Sequence, residues 1–348
     1  MNARAARVPR KLRLPLGLLA LAVLAVLFAF LPDALRALYG RASVSYLSLV
    51  TNGLTLAILA LSWDILARTG QLSLAHAAFY GAGAYAAALL GKLTGLPLWL
   101  GIPMGGIVAV LLSFLLGSVT LRLRGIYFAI ASLAFAEVLK AVVQELPTAI
   151  AGGSAGINVQ ALFRPRFIPG EMERWEIAYL RNERYFLVYA GVLLLTVLVS
   201  LYLERSRLRS AFTAIRTNEQ VAAVMGVRAA RTKLLAFALS SFSVGLLGAV
   251  QAHRIGSVSP DMTFGITTTV FALVTPIFGG LYTTLGPILG AGVLAGIEET
   301  LRRSLGEGYL IGYGMVLILS ILFMPRGLVG LLRGLWAWLR RGRERKAS

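Results

Sequence analysis

Stretches of mostly apolar residues, each close to twenty long, recur along nearly the whole chain. They fall at 14–31, 44–67, 72–91, 96–121, 125–143, 185–203, 234–252, 264–281, 285–301 and 309–324. A helix needs about 20 such residues to cross the hydrocarbon layer of a bilayer. A backbone in lipid must satisfy its polar groups internally, which a helix does within one segment. The pattern predicts an all-α, polytopic integral membrane protein with about ten transmembrane helices. Composition agrees: 57% of the 348 residues are hydrophobic and 14% charged, where a soluble domain carries roughly 25% charged residues. The third and eighth stretches are rich in Gly or interrupted by Pro, so their ends are the least defined.

The charge that remains is lopsided, with 34 Lys and Arg against 15 Asp and Glu. A soluble nucleic-acid binder would not be this apolar, so the excess is read as an orientation signal. With ten spans both termini lie on one side. If that side is cytoplasmic, it collects 22 of the 34 basic residues. These come from Arg4 to Arg13, Arg68, Arg122 and Arg124, a dense run over 204–233, and the tail from Arg326. The long segment 144–184 balances five Arg against five Glu and falls on the outer side. A multi-pass membrane protein with cytoplasmic termini is expected.

The first apolar run follows a basic segment, as a signal peptide would. It is about 18 residues long with no convincing A-x-A site after it, so a retained anchor is expected. No low-complexity linker divides the chain, and 1–348 is read as one domain. Turn residues such as Pro147 and Gly152-Gly153-Ser154 punctuate this outer loop, and 171–184 reads as a short interfacial helix. A weak internal repeat at an offset of 209 places Gly70 on Gly279, Gly81 on Gly290 and Gly83 on Gly292. The spacings Ala77-x-x-x-Gly81 and Gly286-x-x-x-Gly290 permit close helix approach in lipid.

Catalytic chemistry has little to work with. The absence of Cys removes disulfides, thiolate metal sites and Cys nucleophiles. Two histidines cannot build a three-His zinc site, and no metal is expected. Gly91-Lys92 lacks the rest of a phosphate-binding loop, so the chain has no nucleotide site of that kind.

Several stretches carry a resemblance when taken together. They are GQLSLAHAAFYGAGAYAAALLG (70–91), GIYFAIASLAFAE (125–137), GGSAGI (152–157), SRLRSAFTAIRTNEQVAAVMGVRAARTKLLAF (206–237), FGGLYTTLGPILGA (278–291) and MPRGLVGLL (324–332). The combination resembles the permease family of branched-chain amino acid ABC importers, in its LivM-type form. The likeness covers nearly everything after the first span.

Within the basic run, Arg216, Glu219, Ala222, Ala223 and Gly226 form a segment similar to the EAA loop that docks importer permeases on their ATPases. Ala222 and Ala223 keep one face slim enough to enter a cleft, Gly226 can end the helix, and Arg216 and Glu219 can pair on its surface. The segment departs from the usual form at Arg209 and Ser210, where Gly and Arg are common.

Polar side chains in apolar spans are candidates for a solute path: Asn52, Thr55, Gln71, Ser73, His76, Thr268 and Thr275. Thr268 and Thr275, seven apart, share a helix face. Pro276 and Gly279-Gly280 form a helix break that would expose backbone groups to a passing solute. Such residues also serve as glue between helices, and His76 fits a hydrogen-bonded structural histidine. The charged residues have local partners in reach: Asp64 with Arg68, Glu137 with Lys140, Glu298 with Arg302, Glu299 with Arg303. An unpaired membrane acid suited to a proton relay is therefore missing.

The resemblance implies a transport subunit that is not itself an enzyme. Its implied partners are a LivH-like permease in a heterodimer, two LivG/LivF-like ATPases that use the ATP, and a periplasmic binding protein. The solutes it implies are leucine, isoleucine and valine, with urea, amides or aromatic acids as alternatives. A stand-alone ion-coupled secondary transporter is the reading from a different class.

Overall fold

A computed structural model describes residues 10–123, 125–163, 173–324, 327–332 and 334. The long helices in chain order are α1 (Arg10–Tyr39), α2 (Ser43–Ala67), α3 (His76–Thr94), α4 (Gly101–Thr120) and α5 (Ile126–Glu145). A single turn, α6 (Thr148–Ala151), precedes α7 (Arg174–Arg205). Two short helices follow, α8 (Leu208–Thr217) and α9 (Glu219–Val224), and then α10 (Ala229–Ile255). The chain continues through α11 (Pro260–Thr263), α12 (Ile266–Gly279), α13 (Leu285–Leu305) and α14 (Tyr309–Phe323). A two-residue bridge pairs β1 (Ile157–Asn158) antiparallel with β2 (Ser257–Val258).

Ten of these helices have fourteen residues or more, and each overlaps one apolar stretch of the sequence. Six segments are long and apolar enough to cross a bilayer on those grounds: 21–67, 98–120, 126–145, 174–205, 229–255 and 260–279. The first joins the later part of α1 to α2 through a 3-10 turn at Gly40–Ala42, so two helices count as one segment. Helices α3, α13 and the short α14 lie outside the six, which is why helices outnumber clear spans.

Helix α10 is the centre of the bundle, with sixteen buried residues including Phe237, Val244, Leu247 and Val250. It packs against α3, α4, α2 and α7. Small residues set the distance: a Cβ on Gly83 of α3 would run into the backbone of Gly245 on α10, and one on Gly105 of α4 into Ala249. The α12–α13 hairpin closes in the same way, with Gly290 against the carbonyl of Thr275. Without a hydrophobic drive between helices in lipid, such contact is a main source of cohesion. Gly81 differs, facing the ring of Phe264 rather than a helix backbone. The outer flanks of α4, α5 and α14 carry exposed Leu111, Leu115, Ile130, Ile311 and Leu322, a surface suited to acyl chains.

Some boundaries differ from the sequence reading. The stretch 171–184 is not a separate interfacial helix; residues 174–184 are the first turns of α7. Its start is fixed by a capping box in which Glu173 and Glu176 satisfy each other's backbone N–H groups. Helix α3 starts at His76, not at 72, because Gly70 adopts φ +81 and 71–75 has no regular secondary structure. Helices α3 and α13 begin 209 residues apart, the offset of the weak repeat. The motif at 324–332 includes Pro325 and Arg326, which lie outside the described residues, as do Arg4, Arg7, Arg124 and most of the basic tail.

Candidate coupling site and solute path

The connections after α2, α4, α7 and α12 meet at one end of the bundle. A cavity of about 340 Å³ there is lined by Gln71, Gly125, Arg216, Asn218, Glu219 and Lys233, among others. At the opposite end Lys92 donates to the carbonyls of Ala149 and Ile150, and Lys140 pairs with Asp261 at 2.7 Å. The close ion pair is thus made with Asp261, which α11 brings from far along the chain, while Glu137 still attracts Lys140 as expected.

The basic run folds into α8 and α9, parted by Asn218. Its side chain accepts from the N–H groups of Gln220 and Val221, ending one helix and capping the next. Phe212 and Ile215 anchor α8 in the bundle. Helix α9 is tied down by Glu219, which accepts from buried Lys233 at 2.8 Å. Its far end closes with Gly226 at φ +85, where Gly226 and Val227 donate to the carbonyls of Ala223 and Ala222. That is a Schellman ending, which favours glycine at the left-handed position.

Two expectations for this segment need correcting. Arg216 and Glu219 fall on either side of the break and do not form a pair on one helix surface. The guanidinium of Arg216 lies 3.7 Å from the ring centre of Tyr282, while Glu219 takes Lys233. Nor does Ala222 present a slim outward face, because it is buried against the bundle. Ala223 does face outward, beside the exposed Val221, Val224 and Met225, with Val224 89% exposed. Next to this face a groove of about 610 Å³ runs between α8 and α9, lined by Arg209, Thr213, Ala214, Val221 and Met225. The i, i+3, i+4 spacing of 221, 224 and 225 was the available signal for this face.

The seven candidate path residues do not converge. Ser73 and His76 are buried in structural contacts: Trp63 donates to the Ser73 carbonyl at 2.9 Å, and His76 Nε2 lies 3.1 Å from Ser240 Oγ. Gln71 is buried at the cavity wall. Asn52 and Thr55 sit toward the other end of α10, where Asn52 accepts from Arg254 at 3.3 Å and Thr55 donates back to Thr51. Thr268 is partly exposed and Thr275 buried, so their shared helix does not give them a shared environment. The helix break is at Gly280; α12 passes through Pro276 and ends at Gly279. Thr269 was missed: its hydroxyl accepts from the N–H of Ala77 at 3.0 Å and closes the non-helical segment before α3.

A buried polar cluster holds α2, α7 and the α12–α13 connection together at this end. Asp64 accepts from Arg68 at 2.9 Å, the local pair anticipated from sequence, and also from the N–H of Tyr282 at 2.6 Å. Arg68 reaches Ser200 at 2.7 Å and Glu204 at 3.5 Å. Glu204 accepts from both the N–H and the hydroxyl of Thr284. Each charge is paired and hydrogen-bonded, the condition for charges at this depth to be tolerated. The pairs Glu298–Arg302 and Glu299–Arg303 also form, at 2.5 and 2.7 Å. No group of acids or histidines that could hold a metal ion occurs among the described residues.

Residues 45–324, which contain both the cluster and the α8–α9 unit, match the family described as branched-chain amino acid transport system, permease component. The chain is 33% identical over 334 residues to the high-affinity branched-chain amino acid transport permease LivM of Salmonella typhimurium. That alignment covers 91% of this chain and 75% of the relative. Identity to LivM of Escherichia coli is 32% over 336 residues, with the same coverage. BraD of Pseudomonas aeruginosa is 24% identical over 177 residues, covering 49% of this chain and 55% of that protein. No solved structure gives a significant match. The apolar helices and these relatives together describe a multi-pass inner-membrane transport protein. The chain belongs to the family of branched-chain amino acid transport permeases.

Proposed function

We propose that this chain is one half of the translocation unit of an ATP-driven importer and carries branched-chain amino acids inward. The observation that carries the proposal is the family match over 45–324, which spans an apolar face on α9 left exposed among the described residues. A face of Val221, Val224 and Met225 at the basic end of the bundle suits docking on an ATPase, and ATP is consumed there rather than in this chain. The basic end is cytoplasmic in this reading, by the bias of basic residues, and 144–184 is periplasmic. All ten long helices cross the membrane, the shorter ones shielded by their neighbours. The scattered path residues fit a route completed by a second, LivH-like permease. A periplasmic binding protein delivers the solute to the far end. ATP closes two LivG/LivF-like subunits, α8 and α9 pass on the motion, and hydrolysis resets the assembly.

The test is reconstitution of the chain with a second permease, two such ATPases and the binding protein in liposomes. ATP-dependent uptake of labelled leucine is expected, insensitive to collapse of ion gradients. Uptake by the chain alone that follows an ion gradient would refute it. Uptake of urea, amides or aromatic acids in place of leucine would redirect the substrate and leave the mechanism standing.

A further inference from the structure

The family match does not say how movement of α8 would reach the membrane helices. One side chain of α8 touches two connections of the bundle at once. Arg216 packs its backbone and stem against Gly70, where a Cβ would come within 3.2 Å of the arginine Cα. Its guanidinium lies over the ring of Tyr282 at 3.7 Å, well inside the range of about 6 Å for a cation–π contact. Gly70 opens the non-helical segment before α3, and Tyr282 sits in the break between α12 and α13.

Tyr282 is also the one non-glycine residue with positive φ among those described, at +63. A bulky residue keeps that conformation only where its surroundings impose it. Here they do so from two sides. The Tyr282 N–H is held by buried Asp64 at 2.6 Å, and the ring is held by Arg216. Two residues on, Thr284 is fixed by Glu204 at 2.7 Å. Asp64 and Glu204 are joined through Arg68. The break is thus bonded to the ends of α2 and α7 through the Tyr282 N–H and Thr284, and it meets α8 at the tyrosine ring.

We propose that Arg216 and Tyr282 are positioning residues, the contact through which α8 sets the geometry of the α12–α13 break during transport. The proposal rests on the coupling role given above to α8 and α9. A shift of α8 drags the guanidinium across the ring. Tyr282, already in a sparsely populated backbone conformation, yields there before the fully paired Asp64–Arg68–Glu204 cluster does. Gly70 is the second point of contact, so the start of α3 moves with it.

The test uses the complete transporter in liposomes and reads solute taken up per ATP hydrolysed. Arg216→Ala and Tyr282→Ala are each expected to lower that ratio by about two- to fivefold, the scale of one solvent-accessible cation–π contact used as coupling. Tyr282→Phe should keep the ratio, since the hydroxyl has no part in the contact, and Arg216→Lys should restore it partly. The double variant should be no worse than the worse single one. A near-normal ratio in Arg216→Ala, or losses that add in the double variant, would overturn the proposal.

A second readout needs no uptake. The chain has no cysteine, so Leu285→Cys, at a site 68% exposed beside the break, gives a unique maleimide target. Its labelling rate should change when the ATPases bind nucleotide, and Arg216→Ala should abolish that change. A rate that responds equally with Arg216 present or absent refutes the relay even if the solute is misassigned. Absence of ATP-driven uptake in the unmodified complex would count against the transport reading alone. If Tyr282→Ala fails to assemble, the Arg216 variants and the labelling decide the question.

Discussion

Replacing Gly226 with valine tests whether the end of α9 must be shaped as it is. Gly226 has φ +85, and no atom lies within 4 Å of where a Cβ would stand. The valine would therefore meet no neighbour, and the whole penalty is conformational. For an L-residue in the left-handed region that penalty is about 1–2 kcal/mol, and more for a β-branched side chain. The Schellman bonds from Gly226 and Val227 to the carbonyls of Ala223 and Ala222 compete with relaxation to negative φ. At about 1.4 kcal/mol per factor of ten, the native ending would be populated roughly tenfold less. Asn tolerates the left-handed region better than other non-glycine residues, so Gly226→Asn should lose much less. The bundle beneath has its own contacts, so both variants should insert and assemble. The assay compares ATP hydrolysis with leucine uptake for the reconstituted complex. Uptake per ATP should fall in the order Gly, Asn, Val. Wild-type coupling in Gly226→Val, or equal damage from Asn and Val, would refute the argument from backbone geometry.

Three further outcomes are expected. Arg68→Ala should destabilise the chain in detergent by about 3–5 kcal/mol, because it strands Asp64 at full burial. A paired Asp64→Leu/Arg68→Met variant should recover part of that, and thermal unfolding checks both. Gly83→Val should block the approach of α3 to α10, where the backbone of Gly245 leaves no room. It should reduce the folded yield in size-exclusion chromatography, while Gly292→Val, with nothing nearby, should not. Single cysteines at Ser154 and Val224, both exposed, should react with an impermeant maleimide from opposite sides of the membrane. Labelling of both from one side would overturn the assigned topology.

What the sequence disclosed, and what it withheld, follows from how far apart the interacting groups lie in the chain. The apolar stretches were legible because a spanning helix depends only on its own residues, and a long helix overlaps every one of them. Ion pairs one helical turn apart were legible for the same reason: Asp64–Arg68, Glu298–Arg302 and Glu299–Arg303 all form. The start of α3 was not. The run from Gln71 to Ala75 is apolar enough to look helical, yet its backbone groups are taken by Trp63, Ser132 and Thr269. No local pattern announces a hydroxyl that arrives from 195 residues away. The coupling segment fails in the same manner. The end of α9 was readable from Gly226, whose conformational preference is intrinsic, but the break at Asn218 was not anticipated. The partners of Lys140, Arg216 and Lys233 were not legible either, because each comes from another part of the chain. The same division bears on function. A docking face can be read along one short helix, whereas its link to the membrane runs through Tyr282, whose backbone conformation is imposed by Asp64 from across the bundle. The residues that move solute are for this reason harder to find by pattern than those that meet the ATPase. Substitutions at long-range contacts are the ones that can separate coupling from assembly.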